Sequence, residues 1–168
     1  KTEAEKRAWD YAKNVDMNLV VINPTAVIGP YFHRHTPSTM LFDKLLKGEL
    51  KALPPQTFGY VDVRDVALGH LKAYENNHAE GRHILCTSCL DGFELMSIIK
   101  ELEPELELPK KIIPMWKMRL FARLEITREM FGHIPKISPE TVKEYMNKIT
   151  NYDASKAKGT LGWNPMEL

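Results

Sequence analysis

Apolar positions along the chain alternate between a spacing of three to four residues and short continuous runs, the pattern of helices alternating with strands. Residues Thr2 to Asn14 place Ala4, Ala8, Tyr11 and Ala12 on neighbouring turns and predict a helix. A buried strand over Asn18 to Ile22 and a loop rich in proline and glycine follow. A helix is predicted from Ser38 to Leu46, with Met40, Leu41, Leu45 and Leu46 on one face, Ser38 as cap and Gly48 beyond its end. Thr57 to Val63 reads as a strand. Asp65 is expected to cap a helix carrying Val66, Ala67, His70, Leu71 and Tyr74, and a strand over His83 to Cys86 follows the turn at Gly81.

Beyond Asp91 the pattern becomes mostly helical. Helices are predicted over Phe93 to Leu102, over Met115 to Phe131 after Pro114, and over Pro139 to Met146 behind the cap Ser138. A last short helix, Ala154 to Leu161, is expected to be capped by Asp153 and to stop at Gly162. The expected division is therefore an α/β part over residues 1–90 and a mostly helical part over residues 91–168. Trp116, Leu120, Phe121, Leu124 and Phe131 form an apolar stripe that suits either core packing or a pocket wall. The first helical pattern is already under way at Lys1 with no capping residue before it, so the natural chain is expected to begin earlier.

Composition narrows the classes. Lys and Arg number 23 against 22 Asp and Glu, which argues against a nucleic-acid surface built on concentrated positive charge. No apolar run approaches the roughly 20 residues that span a bilayer, and the opening residues are too polar for a signal peptide. A soluble, cytoplasmic protein with no membrane partner is expected. Cys86 and Cys89 form a lone C-x-x-C without a second pair, and Cys86 ends an apolar run, so both are read as structural thiols. His33 and His35 sit in a loop with no acidic third ligand near in sequence, and no metal is expected.

Four segments in fixed order resemble the extended short-chain dehydrogenases, in the branch of dihydroflavonol, cinnamoyl-CoA and small aldehyde reductases. Lys1-Thr2-Glu3-Ala4-Glu5-Lys6-Arg7-Ala8-Trp9 is similar to the lysine of the family's Tyr-x-x-x-Lys motif and its continuation. Asn23-Pro24-Thr25-Ala26-Val27-Ile28-Gly29-Pro30 resembles the strand-end motif, and Tyr60-Val61-Asp62-Val63-Arg64-Asp65-Val66-Ala67 the second strand-to-helix signature. Asp153-Ala154-Ser155-Lys156-Ala157 with Leu161-Gly162-Trp163-Asn164-Pro165 resembles the C-terminal signature.

The resemblance implies the C-terminal part of a Rossmann-like parallel sheet plus a mostly helical substrate-binding region, with the N-terminal dinucleotide-binding half lying outside this chain. It implies NADP as cofactor, with NAD as the alternative, and a small-molecule carbonyl substrate, a small or aromatic aldehyde or ketone. Lys1 would be the catalytic lysine, holding the nicotinamide ribose and favouring the phenolate of the motif's tyrosine upstream. Pro24, Thr25, Ala26 and Val27 would meet the nicotinamide, Pro37 and Ser38 would lie near the cofactor phosphates, and Tyr31, Phe32 and Tyr60 would border the substrate. A homodimer is an assembly that family members adopt. Asp62 and Arg64 are either a polar site or a solvated face.

Tyr152-Asp153-Ala154-Ser155-Lys156 also spells Tyr-x-x-x-Lys, but too little chain follows it for the helix, strand and substrate region that the active motif precedes. No Gly-rich phosphate turn occurs in the sequence, so the chain alone is expected to be inactive and to bind no nicotinamide cofactor tightly. Two rival readings are a nucleotide-sugar epimerase or dehydratase of the same superfamily, which usually carries Arg where this chain has Asn23, and a non-catalytic Rossmann-like binding protein.

Overall fold

The computed structural model describes residues 2–34, 36–129 and 137–167. In chain order the elements are α1 (Thr2–Asn14), β1 (Val20–Pro24), β2 (Ala26–Ile28), α2 (Pro37–Leu46), β3 (Phe58–Asp62), α3 (Val63–Glu75), β4 (Gly81–Leu85), β5 (Ser88–Leu90), α4 (Gly92–Leu102), α5 (Met115–Glu129), α6 (Pro139–Tyr145) and α7 (Ser155–Leu161). They fall into two units that interleave along the chain. One comprises Lys1–Gly29, Val61–Thr87 and Asp153–Leu168, the other Pro30–Tyr60 and Ser88–Tyr152. Among the described residues no helix is long and apolar enough to cross a membrane.

The first unit is built on the parallel pair of β1 and β4, in register from Val20 with Gly81 to Pro24 with Leu85. A parallel pair needs a long crossover, which the sequence between the two strands supplies. Its core gathers Val61, Ala79, Leu85, Ala154, Ala157, Leu161 and Trp163, with Val20, Ile22, Val27, Val66 and Leu68 packed against it. Helix α3 lies close on the strands because Gly69 has no side chain: a Cβ there would stand 2.5 Å from Leu85 Cδ1. Helix α1 follows the prediction and carries Glu3 and Glu5 in its first turn and Lys13 in its last, each favourable to the helix dipole. Glu5 also pairs with Arg82 at 2.8 Å.

Helix α3 departs from the sequence expectation at its start. Asp62, not Asp65, is the cap: its Oδ1 accepts from the Arg64 N–H at 2.8 Å, and residues 63 and 64 are already helical. Asp65 is instead a buried residue within the first turn, 3% exposed. Helix α7 begins at Ser155, with Ala154 rather than Asp153 in the cap position; Asp153 accepts from the Ser155 N–H at 2.8 Å in the turn before it, and Gly162 ends the helix in the left-handed region at φ 62°.

In the second unit, β3 and β5 pair antiparallel, Phe58 with Leu90 and Tyr60 with Ser88. Helix α2 is capped by Thr36 rather than Ser38: Thr39 N–H donates to Thr36 Oγ1 at 3.3 Å and Thr36 N–H to Thr39 Oγ1 at 2.8 Å, with Pro37 in the first turn. Helix α4 carries an Asp91–Glu94 capping box. Helices α5 and α6 join through Met118, Ala122, Val142 and Met146. Phe131, expected in the apolar stripe, lies outside the described residues. Trp116, Leu120, Phe121 and Leu124 are exposed by 40 to 62%, so this stripe is not core in the chain as described.

Candidate functional site

Open α/β sheets bind ligands at the carboxyl ends of their strands. In the first unit that edge is formed by Asn23 and Pro24 at the end of β1 with Thr25 after them, and by Leu85 at the end of β4 with Cys86 and Thr87 after it. Thr25 is clamped there. Its N–H and its Oγ1 both donate to the Leu85 carbonyl, at 3.0 and 3.2 Å, so its hydroxyl proton is already committed. Val27, in β2, packs its side chain against the core.

Two polar groups at this edge have unspent hydrogen-bonding capacity. Asn23 Nδ2 and Thr87 Oγ1 are buried and have no partner in the structure. Buried polar groups are nearly always satisfied, so these two are candidates for contact with a ligand. In the sequence Asn23 stands out only as a marker of family branch, and Thr87, between the two cysteines, carries no motif. Their signal was a polar residue at the end of an otherwise apolar run.

Three of the sequence signatures interlock within this unit. Gly29 sits at φ 121°, and a Cβ there would approach Asp62 Oδ2 to 2.9 Å and Val63 Cγ1 to 3.1 Å, so the strand-end motif reaches the start of α3 only through a glycine. Asp62 is held in turn by Arg64, whose Nε and Nη2 donate to its two oxygens at 2.9 Å each. These bonds, above all, hold the Asp62 carboxyl below its usual range. The C-terminal signature docks on Asp65: Trp163 Nε1 donates to the Asp65 carbonyl at 2.9 Å, and Met166 N–H to Asp65 Oδ2 at 3.2 Å. Burial raises the Asp65 carboxyl above its usual range, with the Met166 bond opposing.

The remaining predicted residues are placed as follows. Lys1 lies outside the described residues. Tyr31, Phe32, Pro37, Ser38 and Tyr60 belong to the second unit. Tyr31 is 83% exposed with φ 71°, and Phe32 is half-buried. Pro37 and Ser38 open α2. Tyr60 is buried, with its ring 5.8 Å from Phe42 in an edge-on contact and 6.1 Å from Phe58. Its hydroxyl has no partner, and burial pushes the phenol up to about 12, so it keeps its proton at neutral pH.

No family model matches the sequence. Among curated proteins, cinnamoyl-CoA reductase 2 of Medicago truncatula is 44% identical over 112 residues, covering 66% of this chain and 33% of that protein. A putative dihydroflavonol 4-reductase of Synechocystis sp. is 30% identical over 166 residues, covering 95% of this chain and 47% of that protein. The chain is a homologue of the cinnamoyl-CoA and dihydroflavonol reductases. It spans from a third to about half the length of these reductases. The solved structure of Gre2 from Candida albicans in complex with NADPH superposes with a TM-score of 0.62 at 28% identity, covering 98% of this chain and 45% of that one. A UDP-glucuronic acid 4-epimerase from Bacillus cereus matches with a TM-score of 0.63 at 19% identity, covering 99% of this chain and 46% of that one, and shows the shared Rossmann-like fold.

In this reductase homologue the second Tyr-x-x-x-Lys is occupied with structural work. Lys156 Nζ donates to the Glu80 carbonyl at 2.9 Å, beside the start of β4 and at the opposite end of that strand from its carboxyl edge. Cys86 is buried, and Cys89 Sγ accepts from the Tyr152 N–H at 3.4 Å. Among the described residues no three His, Cys, Asp or Glu side chains could hold a metal ion; His35 lies outside them.

Proposed function

We propose that the chain is the C-terminal part of a cytoplasmic NADP(H)-dependent reductase acting on the carbonyl of a small or aromatic aldehyde or ketone. The observation that carries this reading is the identity to cinnamoyl-CoA reductases across two thirds of the chain. The cofactor fit rests on the strand edge. Asn23 Nδ2 and Thr87 Oγ1, beside the motif Pro24 to Val27, offer polar groups where a nicotinamide carboxamide needs donors and acceptors. When bound, the nicotinamide supplies hydride to the carbonyl carbon.

The chain's own residues would then hold and orient. Lys1 binds the nicotinamide ribose and stabilises the phenolate of the motif's tyrosine upstream of it, so that the phenol can give its proton to the carbonyl oxygen. Pro37 and Ser38 are assigned to the phosphate side of the cofactor. Tyr31 and Phe32 are assigned to the substrate, while Tyr60, being buried, serves it by packing behind the surface. Asn23 stands where epimerases of the superfamily usually carry Arg, and the epimerase likeness is one of fold alone.

The test is a steady-state assay of the parent enzyme with aromatic aldehydes and with NADPH or NADH. Aldehyde-dependent oxidation of NADPH is expected. Turnover of a nucleotide sugar with no aldehyde reduction would overturn the reading in favour of the epimerases.

A further inference from the structure

We propose that the groove between α5 and α6 binds a small amphipathic anion, an apolar body bearing a phosphate or a carboxylate. The inference is independent of the reductase reading and concerns a part of the second unit that carries none of the predicted site residues. Met115, Arg119 and Arg123 recur every four residues and so share one face of α5. Facing them on α6 and just beyond it are Val142, Lys143, Met146 and Lys148, and the groove encloses about 420 Å³. That volume falls in the range of about 300 to 1,000 Å³ typical of small-molecule sites.

The lining divides by chemistry. Val142 and Met146 are buried and Met115 is half-buried, which gives an apolar floor whose methionines can adapt to an irregular shape. Arg119, Arg123, Lys143 and Lys148 form the rim, and no acidic side chain lines it. Lys148 has an exposed pairing with Glu144 at 3.4 Å, but among the described residues Arg119, Arg123 and Lys143 have no carboxylate within ion-pair distance. The chain as a whole is nearly neutral, at +1, so this clustering is not a reflection of composition.

Cations gathered around one opening repel one another, and an anion held among them relieves that repulsion. Two guanidinium groups a helical turn apart can each grip an oxyanion through a planar fork. A simple inorganic anion would leave the apolar floor wet. A neutral hydrophobe would gain nothing from the rim. Only a ligand with both parts uses the whole groove.

The test is isothermal titration of the 168-residue chain with 1-naphthyl phosphate, 1-naphthoate and the neutral 1-naphthol. At least one of the two anions is expected to bind at least tenfold more tightly than 1-naphthol, and which one does so identifies the head group. The Arg119→Gln/Arg123→Gln double variant should lose at least tenfold in affinity for that anion, and raised salt should weaken binding to the wild type. Circular dichroism checks that the variant is folded. If the double variant does not fold, Lys143→Gln is the substitute and should lose severalfold. Equal binding of naphthol and both anions, or unchanged affinity in the folded variant, overturns the proposal.

Discussion

The indole Nε1 of Trp163 donates to the main-chain carbonyl of Asp65 across 2.9 Å, a bond between residues 98 positions apart with the Trp163 side chain 1% exposed. Trp163 thereby serves both as the largest buried side chain of the first unit and as a second partner for a carbonyl in the first turn of α3. Trp163→Phe keeps much of the apolar volume but removes that bond, at a cost of about 0.5–1.5 kcal/mol. Trp163→Ala should cost more, about 3–5 kcal/mol. Urea-unfolding midpoints of the two variants give the comparison, and equal midpoints would show that the hydrogen bond and the ring contribute nothing separable.

Gly29 is predicted to be irreplaceable. Alanine there meets both a φ of 121° and an approach of 2.9 Å to Asp62 Oδ2, so Gly29→Ala should destabilise by about 1–3 kcal/mol and disturb the Asp62–Arg64 pair. Gly48, at φ 67° with open space around it, suffers only the backbone strain, and Gly48→Ala should be the milder change. Thermal unfolding of the two variants side by side tests the order.

His83 should make stability depend on pH. Burial, with the Lys156 charge adding to it, lowers the imidazole pKa below 6.5, while a main-chain group at Glu80 opposes. In the unfolded chain the value returns to about 6.5. The folded-state pKa is the lower one, so the unfolded chain takes up the proton first. Stability is fully present above about 6.5 and is lost as the pH falls from there through the lowered folded value. Asp62 and Asp153 also have lowered values, but these act only in the carboxylate range. Asp65, whose value is raised, acts in the opposite sense: its contribution is present below the ordinary carboxylate pKa and is lost as pH rises through its raised value. Chemical denaturation of wild type and His83→Leu at a series of pH values separates these, since only the histidine-dependent slope should vanish in the variant.

Lys1 carries the prediction for catalysis. In the parent enzyme Lys1→Met should reduce kcat on the order of a hundredfold while leaving the fold unchanged, as removal of a group that tunes a proton donor does. Unchanged turnover would remove the assignment.

The 168-residue chain alone should neither bind NADPH tightly nor reduce an aldehyde. Its sequence contains no Gly-rich turn to present main-chain N–H groups to the cofactor phosphates. Micromolar binding in a calorimetric titration, or measurable reduction, would show that the strand edge suffices without that turn.

Helices were legible in the sequence and the details of their ends were not. Helix α1 matches its predicted span, and α4, which opens at Gly92 one residue earlier than read, ends at Leu102 as expected, because each carries a periodic apolar face long enough to outweigh local ambiguity. The start of α3 is ambiguous in sequence because Asp62 and Asp65 both precede an apolar run and either could cap it. What separates them is Trp163, which buries Asp65 from a distance that no local window covers. Strand β2 falls in a segment that reads as loop and β5 in one that the pattern assigns to no element, since three residues are too few to show a period. At the strand edge the motif around Asn23 was visible as a resemblance. Its physical content, a glycine pressed on Asp62 and a threonine clamped to Leu85, exists only once β1 and β4 are side by side.

The interleaving of the two units has a consequence for how the chain is made. Synthesis runs from the N-terminus, yet the first unit draws its last core residues, Ala154, Ala157, Leu161 and Trp163, from the final segment. While the ribosome is still producing residues 88–152, the parallel pair β1–β4 waits without its α7 cover, with Leu85 and Val61 unshielded by the residues that later bury them. Such delayed, sequence-distant contacts slow folding and lengthen the interval in which apolar surface is available to chaperones or to aggregation. A truncation before Asp153 would therefore leave a nascent species that synthesis alone cannot rescue.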